Sequence, residues 1–276
     1  MISASLVIYN NPAEMLLRVI RSFAPSAERR LYLIDNSPER CVLPDEVAGA
    51  EGVFYEFTGK NLGYGRAHNR GIEYAIRDGS EFHTVLNPDL AFDPSVIDVL
   101  ADYARTHQDI VALMPRIEYP DGSLQYLCKL LPTPADLVFR RFFPEIGPFR
   151  RANDRYTLKS SGYDKVINPP CLSGCFMFLR VETLQKEAFR FDERFFMYCE
   201  DFDLVRRLHR VGRTVFYPDV TVIHDHARES YHNRKMLMLH IRSVCTYFCK
   251  YGWFFDSERR RMNRETIKEI KTAQSR

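Results

Sequence analysis

The chain has 276 residues, of which 45% are hydrophobic, 13% aromatic and 27% charged, with a formal net charge of +3. That is enough apolar material for one large or two small cores without disulfide staples, and no apolar run is long enough to span a bilayer. The start, Met1-Ile2-Ser3-Ala4-Ser5-Leu6-Val7-Ile8-Tyr9, lacks the basic flank and long apolar region of a secretory signal; a cytoplasmic location is therefore expected, with no nucleic-acid partner.

Ile2–Tyr9 reads as a buried strand, Asn11-Pro12 as a turn opening a helix to about Phe23, and Leu31–Ile34 as a second strand ending at Asp35. Val53–Phe57 is a third strand before a glycine-rich turn at Gly59–Gly65. Ile72, Ala75 and Ile76 then form a helical stripe that stops at Gly79, and His83–Leu86 is a short strand broken by Asn87-Pro88. Asp93-Pro94 opens another helix. This alternation predicts right-handed βαβ units and a parallel sheet, in which ligands bind beyond the carboxyl ends of the strands; Asp35 and Asn87–Asp89 lie at such ends.

Beyond Pro115 the pattern loosens, and Leu131–Asn168 carries prolines and basic groups without clear periodicity, as expected of an inserted, partly mobile region over 117–170. Order returns with strands at Cys171–Arg180, Thr214–Phe216 and Val220–His224. From Glu229 a long helix carries Leu237, Ile241, Val244 and Phe248, and Gly252 closes it. One compact domain over 1–228 with a helical, basic extension over 229–276 is the simplest organisation. The seven cysteines are scattered, and Cys171/Cys175 and Cys245/Cys249 match no common zinc or redox spacing, so buried free thiols are expected.

Residues 1–255 hold 32 basic and 32 acidic side chains, whereas 256–276 hold 7 and 4, so the charge excess lies in the tail. A second basic stretch, Phe139–Lys159, interleaves Arg140, Arg141, Arg150, Arg151 and Arg155 with Phe139, Phe142, Phe143, Phe149 and Tyr156. Such a mixture fits an anionic membrane surface or a polyanion; it fits a solvated loop and a frayed terminal helix equally well.

Three segments carry groups that could do chemistry. Phe195-Phe196-Met197-Tyr198-Cys199-Glu200-Asp201-Phe202-Asp203-Leu204 places carboxylates behind apolar residues, where burial raises a carboxyl pKa. Leu204, Leu208 and Val211 set Glu200 and Asp201 in or just before a helix's first turn, where acids also serve as caps. Asn87-Pro88-Asp89 puts a carboxylate at a strand end, where it could hold a metal that meets a phosphate, with His224 as a distant helper. A turn-forming Asp89 and a hydrogen-bonded core His224 are the structural alternatives. Asn61-Leu62-Gly63-Tyr64-Gly65-Arg66-Ala67-His68-Asn69-Arg70-Gly71 places glycines before a helix N-terminus; it suits phosphate or is simply a tight loop, and it is neither a Walker A nor a dinucleotide fingerprint.

Taken in order, Tyr9-Asn10, Ile34-Asp35-Asn36-Ser37, Asn61–Gly71, Leu86-Asn87-Pro88-Asp89, Ser173-Gly174-Cys175-Phe176-Met177 and Glu200-Asp201-Phe202-Asp203-Leu204 resemble the family 2 glycosyltransferases of the GT-A fold. The resemblance covers roughly residues 2–228 and is nearest to bacterial rhamnosyltransferase-type enzymes of O-antigen or capsule synthesis. It implies a Rossmann-like, mixed α/β sheet flanked by helices. It implies that Asp35 holds the base or ribose of a sugar nucleotide, that Tyr9 and Asn10 line the base pocket, and that Asn61, Gly63 and Asn69 sit near the nucleotide. Asp89 would hold magnesium or manganese. The family's usual motif has two aspartates separated by one residue, and here Asn87 replaces the first, which gives His224 more weight as second ligand. Gly174 would let a sugar approach the backbone, and Asp201, with Glu200 beside it, would be the general base of an inverting transfer.

The expected activity is transfer of L-rhamnose from dTDP-β-L-rhamnose to a polyprenyl-diphosphate-linked saccharide, with the basic stretch and Arg259-Arg260-Arg261 holding the enzyme on the inner leaflet. Arg206 or Arg207 would offset charge on the diphosphate, Asp203 would pair with one of them, and Phe195, Phe196 and Tyr198 would lift the base's pKa. A UDP-hexose donor and a non-catalytic nucleotide-sugar-binding protein are the alternatives. A nucleotidyltransferase is disfavoured because Tyr9-Asn10-Asn11-Pro12 lacks a glycine- and lysine/arginine-rich phosphate signature.

Overall fold

The computed structural model describes residues 1–44, 46–137, 147–225 and 234–274. Strand β1 (Ile2–Ile8) is almost wholly buried, as a near-continuous apolar run requires when helices cover both faces of a sheet. It pairs in parallel with β2 (Arg29–Asp35) and β4 (Phe82–Leu86), and β3 (Val53–Phe57) extends the parallel set beyond β2. Helices α1 (Ala13–Phe23) and α2 (Tyr64–Arg77) supply the crossovers.

The sheet then changes direction. Strand β7 (Phe176–Arg180) runs antiparallel between β4 and β6 (Ile110–Glu118). β8 (Arg213–His224) is parallel to β6, and β5 (Leu90–Phe92) closes the edge antiparallel to β8. The result is a mixed eight-stranded sheet in the order β3-β2-β1-β4-β7-β6-β8-β5. The remaining helices are α3 (Ser95–Thr106), α4 (Gly147–Tyr156), α5 (Val181–Lys186), α6 (Glu200–Leu208), α7 (Arg234–Tyr251) and α8 (Ser257–Gln274).

Several elements differ from the sequence expectation. Pro115 does not end the ordered half but lies inside β6, and the two strands expected at Thr214–Phe216 and Val220–His224 are one. Both features have one cause: Pro115 aligns with Tyr217 and Arg116 with Thr221, so the ladder bulges around Pro115 and Pro218, neither of which has an N–H to give it. The strand expected from Cys171 begins only at Phe176, Cys171 making an isolated bridge with Lys129. Of the seven free cysteines, Cys128, Cys171, Cys175 and Cys199 are buried, but Cys249 is exposed and Cys41 and Cys245 are half-buried. Glu229, and Phe139, Arg140, Arg141, Phe142 and Phe143 of the basic-aromatic stretch, lie outside the described residues.

The described part of 117–170 contributes Cys128, Leu130, Tyr156, Leu158, Tyr163 and Ile167 to the core. The Tyr163 hydroxyl donates to the carbonyl of Thr157 or Cys128, 2.7 and 2.9 Å away, and accepts the Cys128 N–H at 3.0 Å. Helix α8 packs on this segment: the Asn263 amide donates to the Leu131 carbonyl at 2.9 Å and accepts its N–H at 2.8 Å. Arg259 is turned inward, donating to the Pro132 carbonyl at 3.3 Å, so of the three arginines expected to face a membrane only Arg260 and Arg261 are exposed.

The two arginines of α6 are structural, not diphosphate-binding. Arg206, 1% exposed, forms a two-pronged pair with Asp256 at 2.7 Å, reaches Glu258 at 2.7 Å and lies over the Tyr251 ring. Arg207 pairs with Asp203 at 2.7 Å, and the buried Asp203 carboxylate is completed by Lys250 and by the Tyr251 hydroxyl at 2.7 Å. These bonds tie α6 to α7 and to the start of α8. Arg206→Met leaves Asp256 buried without its cation and is expected to cost roughly 3–5 kcal/mol of unfolding free energy. Urea titration measures this, and adding Asp256→Asn in the same chain should recover part of the loss.

Candidate active site

Sheet direction decides which residues meet. Because β1, β2 and β4 are parallel, Tyr9-Asn10, Asp35 and Asn87 emerge at one edge, with Asp35 beside Ile8 in the ladder. Because β7 is antiparallel to β4, its first residue Phe176 pairs with Leu86, and the Asn87 N–H donates to the Cys175 carbonyl at 2.9 Å. Gly174 therefore joins the same edge. Two patches result, one around Asp35 and one around Asp89 and Asp201.

In the first patch the Asp35 carboxylate, buried at the floor, accepts the Ser37 N–H at 2.9 Å, the Cys41 N–H at 2.7 Å and the Tyr55 hydroxyl at 2.5 Å. Burial raises its pKa, but these donors outweigh it and hold the carboxyl below its usual range. Asn10, with a left-handed backbone, donates its N–H to Ser37 Oγ at 3.0 Å, and Tyr9 is exposed above it. Asn61 lies at the rim, its side-chain oxygen accepting the Gly63 N–H at 2.9 Å.

Gly63 is demanded by packing: its φ is +83°, and a Cβ there would come within 2.3 Å of the Phe196 carbonyl, which accepts the Tyr64 N–H at 2.9 Å. The first turn of α2 is thus locked onto the loop that carries the acids. Asn69 does the same from deeper in the helix. Its amide donates to the Phe191 carbonyl at 2.9 Å and accepts the Phe191 N–H at 2.8 Å, so it is turned away from both patches.

In the second patch Glu200 and Asp201 open α6, behind two left-handed residues, Tyr198 and Cys199. Such backbone is strained for side-chain-bearing residues and persists where the surroundings impose it. Glu200 is buried and its Oε2 accepts no hydrogen bond among the described residues. Burial and the neighbouring Asp201 raise its pKa to about 8. Asp201 is half-buried, accepting the Phe202 N–H at 2.8 Å and the Gly174 N–H at 3.3 Å. Burial raises its pKa too, opposed first by the Lys129 ammonium and then by those backbone donors.

Tyr64 ties the motifs together. Its hydroxyl donates to the Gly174 carbonyl at 2.5 Å and lies 3.2 Å from Asn87 Oδ1. Burial pushes its pKa up, followed by the charges of Glu200, Cys175, Asp201 and Asp89, so the phenol sits among the acids. A Cβ on Gly174 would make only ordinary contacts, 3.5 Å from Asp201 Cβ and the Tyr64 ring.

His224 reaches Asp89 through the sheet: β5 and β8 pair Leu90 with His224, and the Asp225 N–H donates to the Asp89 carbonyl at 3.0 Å. His224 Nε2 lies 3.3 Å from Asp89 Oδ1, and His224 Nδ1 lies 3.0 Å from Gln125 Oε1. Gln125 is fixed by donating its amide to the His224 carbonyl at 2.8 Å, so Nδ1–H donates to it and Nε2 faces Asp89. Burial lowers the His224 pKa, but Cys175 and Asp89 raise it to about 10. An imidazole nitrogen 3.3 Å from a carboxylate oxygen at a strand end is a nitrogen and oxygen donor pair that fits a divalent cation. No cluster of three or more His, Cys, Asp or Glu ligands occurs among the described residues, so diphosphate and water oxygens would complete the shell.

Sequence reasoning did not single out Tyr64, Gln125 or Lys129. Tyr64 had a signal, an aromatic between two glycines at a helix start; the other two lie in the aperiodic segment and become visible only through pairing with β8 and Cys171.

A parallel half, a mixed half and a cluster of acids at the edge they share define a glycosyltransferase of the GT-A type. Comparison with known families bears this out: glycosyl transferase family 2 matches residues 3–186, and the chain belongs to that family. It is 32% identical over 233 residues to the N-acetylglucosaminyl-diphospho-decaprenol L-rhamnosyltransferases of two Mycobacterium tuberculosis strains, CDC 1551 / Oshkosh and H37Rv, covering 80% of this chain and 75% of each relative. Among solved structures it is similar to S. aureus TarS 1-349 in complex with UDP-GlcNAc, with a TM-score of 0.58, 12% identity, and coverage of 96% of this chain and 71% of that one. The mannosyltransferase PcManGT from Pyrobaculum calidifontis in complex with GDP-Man and Mn2+ gives 0.55 and 11%, over 90% of this chain and 64% of that one.

The buried Glu200 generates a stability prediction. Its folded pKa lies above the ordinary glutamate value of 4.5, so the folded chain keeps a proton that the unfolded chain loses, and stability falls as pH rises from about 4.5 to about 8. Glu200→Gln removes that penalty. Its melting temperature should approach that of the wild type near pH 5 and exceed it at pH 8.5, by roughly 2–4 °C per kcal/mol recovered. Calorimetric scans at the two pH values measure the difference.

Proposed function

We propose that this glycosyltransferase is an inverting, divalent-metal-assisted enzyme that moves L-rhamnose from dTDP-β-L-rhamnose to a saccharide carried on a polyprenyl diphosphate in cell-surface polysaccharide synthesis. Its place would be the cytoplasmic face of the membrane. The observation that carries the chemistry is Asp201, a half-buried carboxylate with a raised pKa at the edge shared with Asp89 and Gly174. The choice of sugar and acceptor is supported by the mycobacterial relatives, whose name specifies an L-rhamnosyltransferase and a decaprenol-linked acceptor. Residues 1–228 would be the transferase unit, with the 117–170 segment on the acceptor side and 229–276 as a helical extension.

In this reading Asp35 holds the nucleoside against the floor of the first patch, Tyr9 and Asn10 line the base, and Asn61 and Gly63 border the nucleotide, with Asn69 holding the wall behind it. Asp89 and His224 would hold magnesium or manganese, Gln125 fixes the imidazole, and Asn87 presents a neutral side chain. Such an ion would supply positive charge against the diphosphate. Asp201 takes the proton of the acceptor hydroxyl as that oxygen bonds to the anomeric carbon; the bond to the diphosphate breaks with its electron pair, and dTDP leaves. Glu200, largely protonated at pH 7, orients a hydroxyl or the Asp201 carboxylate, while Lys129 favours the ionised base. Gly174 leaves room for a sugar beside Tyr64.

Asp201→Asn should lower dTDP release in the presence of donor and acceptor by roughly 10²–10⁴-fold while leaving dTDP-rhamnose binding within about threefold. Near-normal transfer would sink the assignment of the base, and release of pyrophosphate would point to nucleotidyl transfer. For the metal, calorimetric titration of dTDP in the presence and absence of manganese is the measurement. Asp89→Ala and His224→Ala should abolish the manganese-dependent gain, and Gln125→Ala should reduce it by roughly 10-fold.

A further inference from the structure

The outer face of α7 and the corner that follows it carry apolar groups the active site does not use. Met238 is 65% exposed, Ile241 46%, and Cys249 is exposed on the same side of the helix. The helix ends at Gly252, whose φ is +99° and whose N–H donates to the Phe248 carbonyl at 2.8 Å; Trp253, Phe254 and Phe255 follow directly. Phe254 is 72% and Phe255 86% exposed, while Trp253 leans on Phe248 with ring centroids 5.2 Å apart.

This corner is held from beneath. A Cβ on Gly252 would lie 2.6 Å from the Phe255 carbonyl, and Asp256, the next residue, is buried in the pair with Arg206 and accepts the Arg259 N–H at 2.9 Å. The three aromatic rings therefore stand on a fixed loop between two packed helices. Aromatic side chains displayed in this way are costly in water and mark a surface that meets something apolar.

Charge indicates what they meet. Helix α8 buries Arg259, Met262, Thr266 and Ile270, and its opposite face carries Arg260, Arg264 and Lys268 at i, i+4 and i+8. Arg242 is exposed beside Met238 on α7. The two acids at the corner are already engaged, Asp256 with Arg206 and Glu258 with Arg206 and Arg210. Aromatic rings flanked by cations match the interfacial zone of an anionic bilayer, where rings sit at headgroup depth and lysine or arginine meets lipid phosphate.

We propose that the Trp253–Phe255 corner, with the apolar face of α7 and the basic face of α8, is a membrane-docking surface that inserts its aromatic side chains into an anionic phospholipid leaflet. Its purpose, delivery of the active site to a lipid-linked acceptor, rests on the proposed function, but binding to lipid does not.

Trp253 is the only tryptophan of the chain, so its fluorescence reports the corner directly. The full chain is titrated, without donor or acceptor, with vesicles of phosphatidylcholine alone and of phosphatidylcholine with phosphatidylglycerol. The anionic vesicles should shift Trp253 emission to the blue, brominated acyl chains should quench it, and the protein should float with the lipid. Phe254→Ser with Phe255→Ser should weaken flotation at least tenfold, and Arg260→Glu with Arg264→Glu should do the same and remove the preference for anionic lipid. Both double variants should keep the wild-type melting temperature and wild-type transfer to a short, water-soluble acceptor. Binding of vesicles with unchanged emission and undiminished flotation of the Phe254/Phe255 variant would overturn the proposal. So would a blue shift that grows with protein concentration in the absence of lipid, accompanied by a dimer in light scattering, because the face would then be covered by a second copy.

Discussion

The site depends on one reversal of strand direction. If β7 ran parallel to β4 its start would lie at the far edge of the sheet, and Gly174 could not reach the carboxyl ends of β1, β2 and β4. Running antiparallel, it pairs Phe176 with Leu86 and sets the Cys175 carbonyl on the Asn87 N–H. Tyr64 then bridges Gly174 and Asn87, and the Gly174 N–H meets Asp201. On the other flank the same logic operates through β5 and β8, whose antiparallel pairing sets His224 beside Leu90 and so against Asp89. Residues separated by more than a hundred positions meet because ladder register leaves them no alternative.

Holding two adjacent acids in a buried first turn works against the fold, and the structure offsets this one turn further along. Asp203 is surrounded by Arg207, Lys250 and Tyr251, and Arg206 by Asp256, Glu258 and Tyr251. These pairs occupy the side of α6 that carries 203, 206 and 207, while Phe202, Leu204, Val205 and Leu208 pack into the core. The N-terminal side of the helix is free to be electrostatically strained because its C-terminal side is fastened to α7 and α8. The positive φ angles of Tyr198 and Cys199 belong to the same arrangement: the chain turns sharply into the helix so that the acids face Gly174 and Tyr64 rather than solvent.

Local pattern carried much of this into the sequence. Strand β3 has the predicted bounds, α1 and α3 start at the expected Asn-Pro and Asp-Pro signals, and α6 opens at Glu200 as its apolar spacing requires. What local pattern could not carry is pairing. β5, at three residues, is too short to show a period, and Pro115 and Pro218 look like breaks because a bulge that accommodates both is a property of two strands together. The arginines of α6 show the same gap. Helical spacing allowed Asp203 to be matched with Arg207 at i+4, but the partner of Arg206 lies fifty residues on, at Asp256, and without it Arg206 looked available for a diphosphate. Asn69 shows a related gap: the resemblance put it near the nucleotide, and only the fold reveals that its amide is engaged by the backbone of Phe191.

Asn87 follows from the crowding of negative charge. The Tyr64 hydroxyl already lies in the field of Glu200, Asp201 and Asp89, and it approaches Asn87 Oδ1 to 3.2 Å. A carboxylate at 87 would add a fourth acid to a pocket where burial has already pushed Glu200 to hold its proton near neutrality. The neutral amide keeps an oxygen facing the tyrosine without that charge. It also stands where the usual paired motif has its first acid; in the proposed metal site His224, whose ring is set by Gln125, would supply that donor from the opposite flank. A cation held by one carboxylate and one imidazole keeps more of its charge unneutralised than one held by two carboxylates, which suits a partner that arrives as a diphosphate.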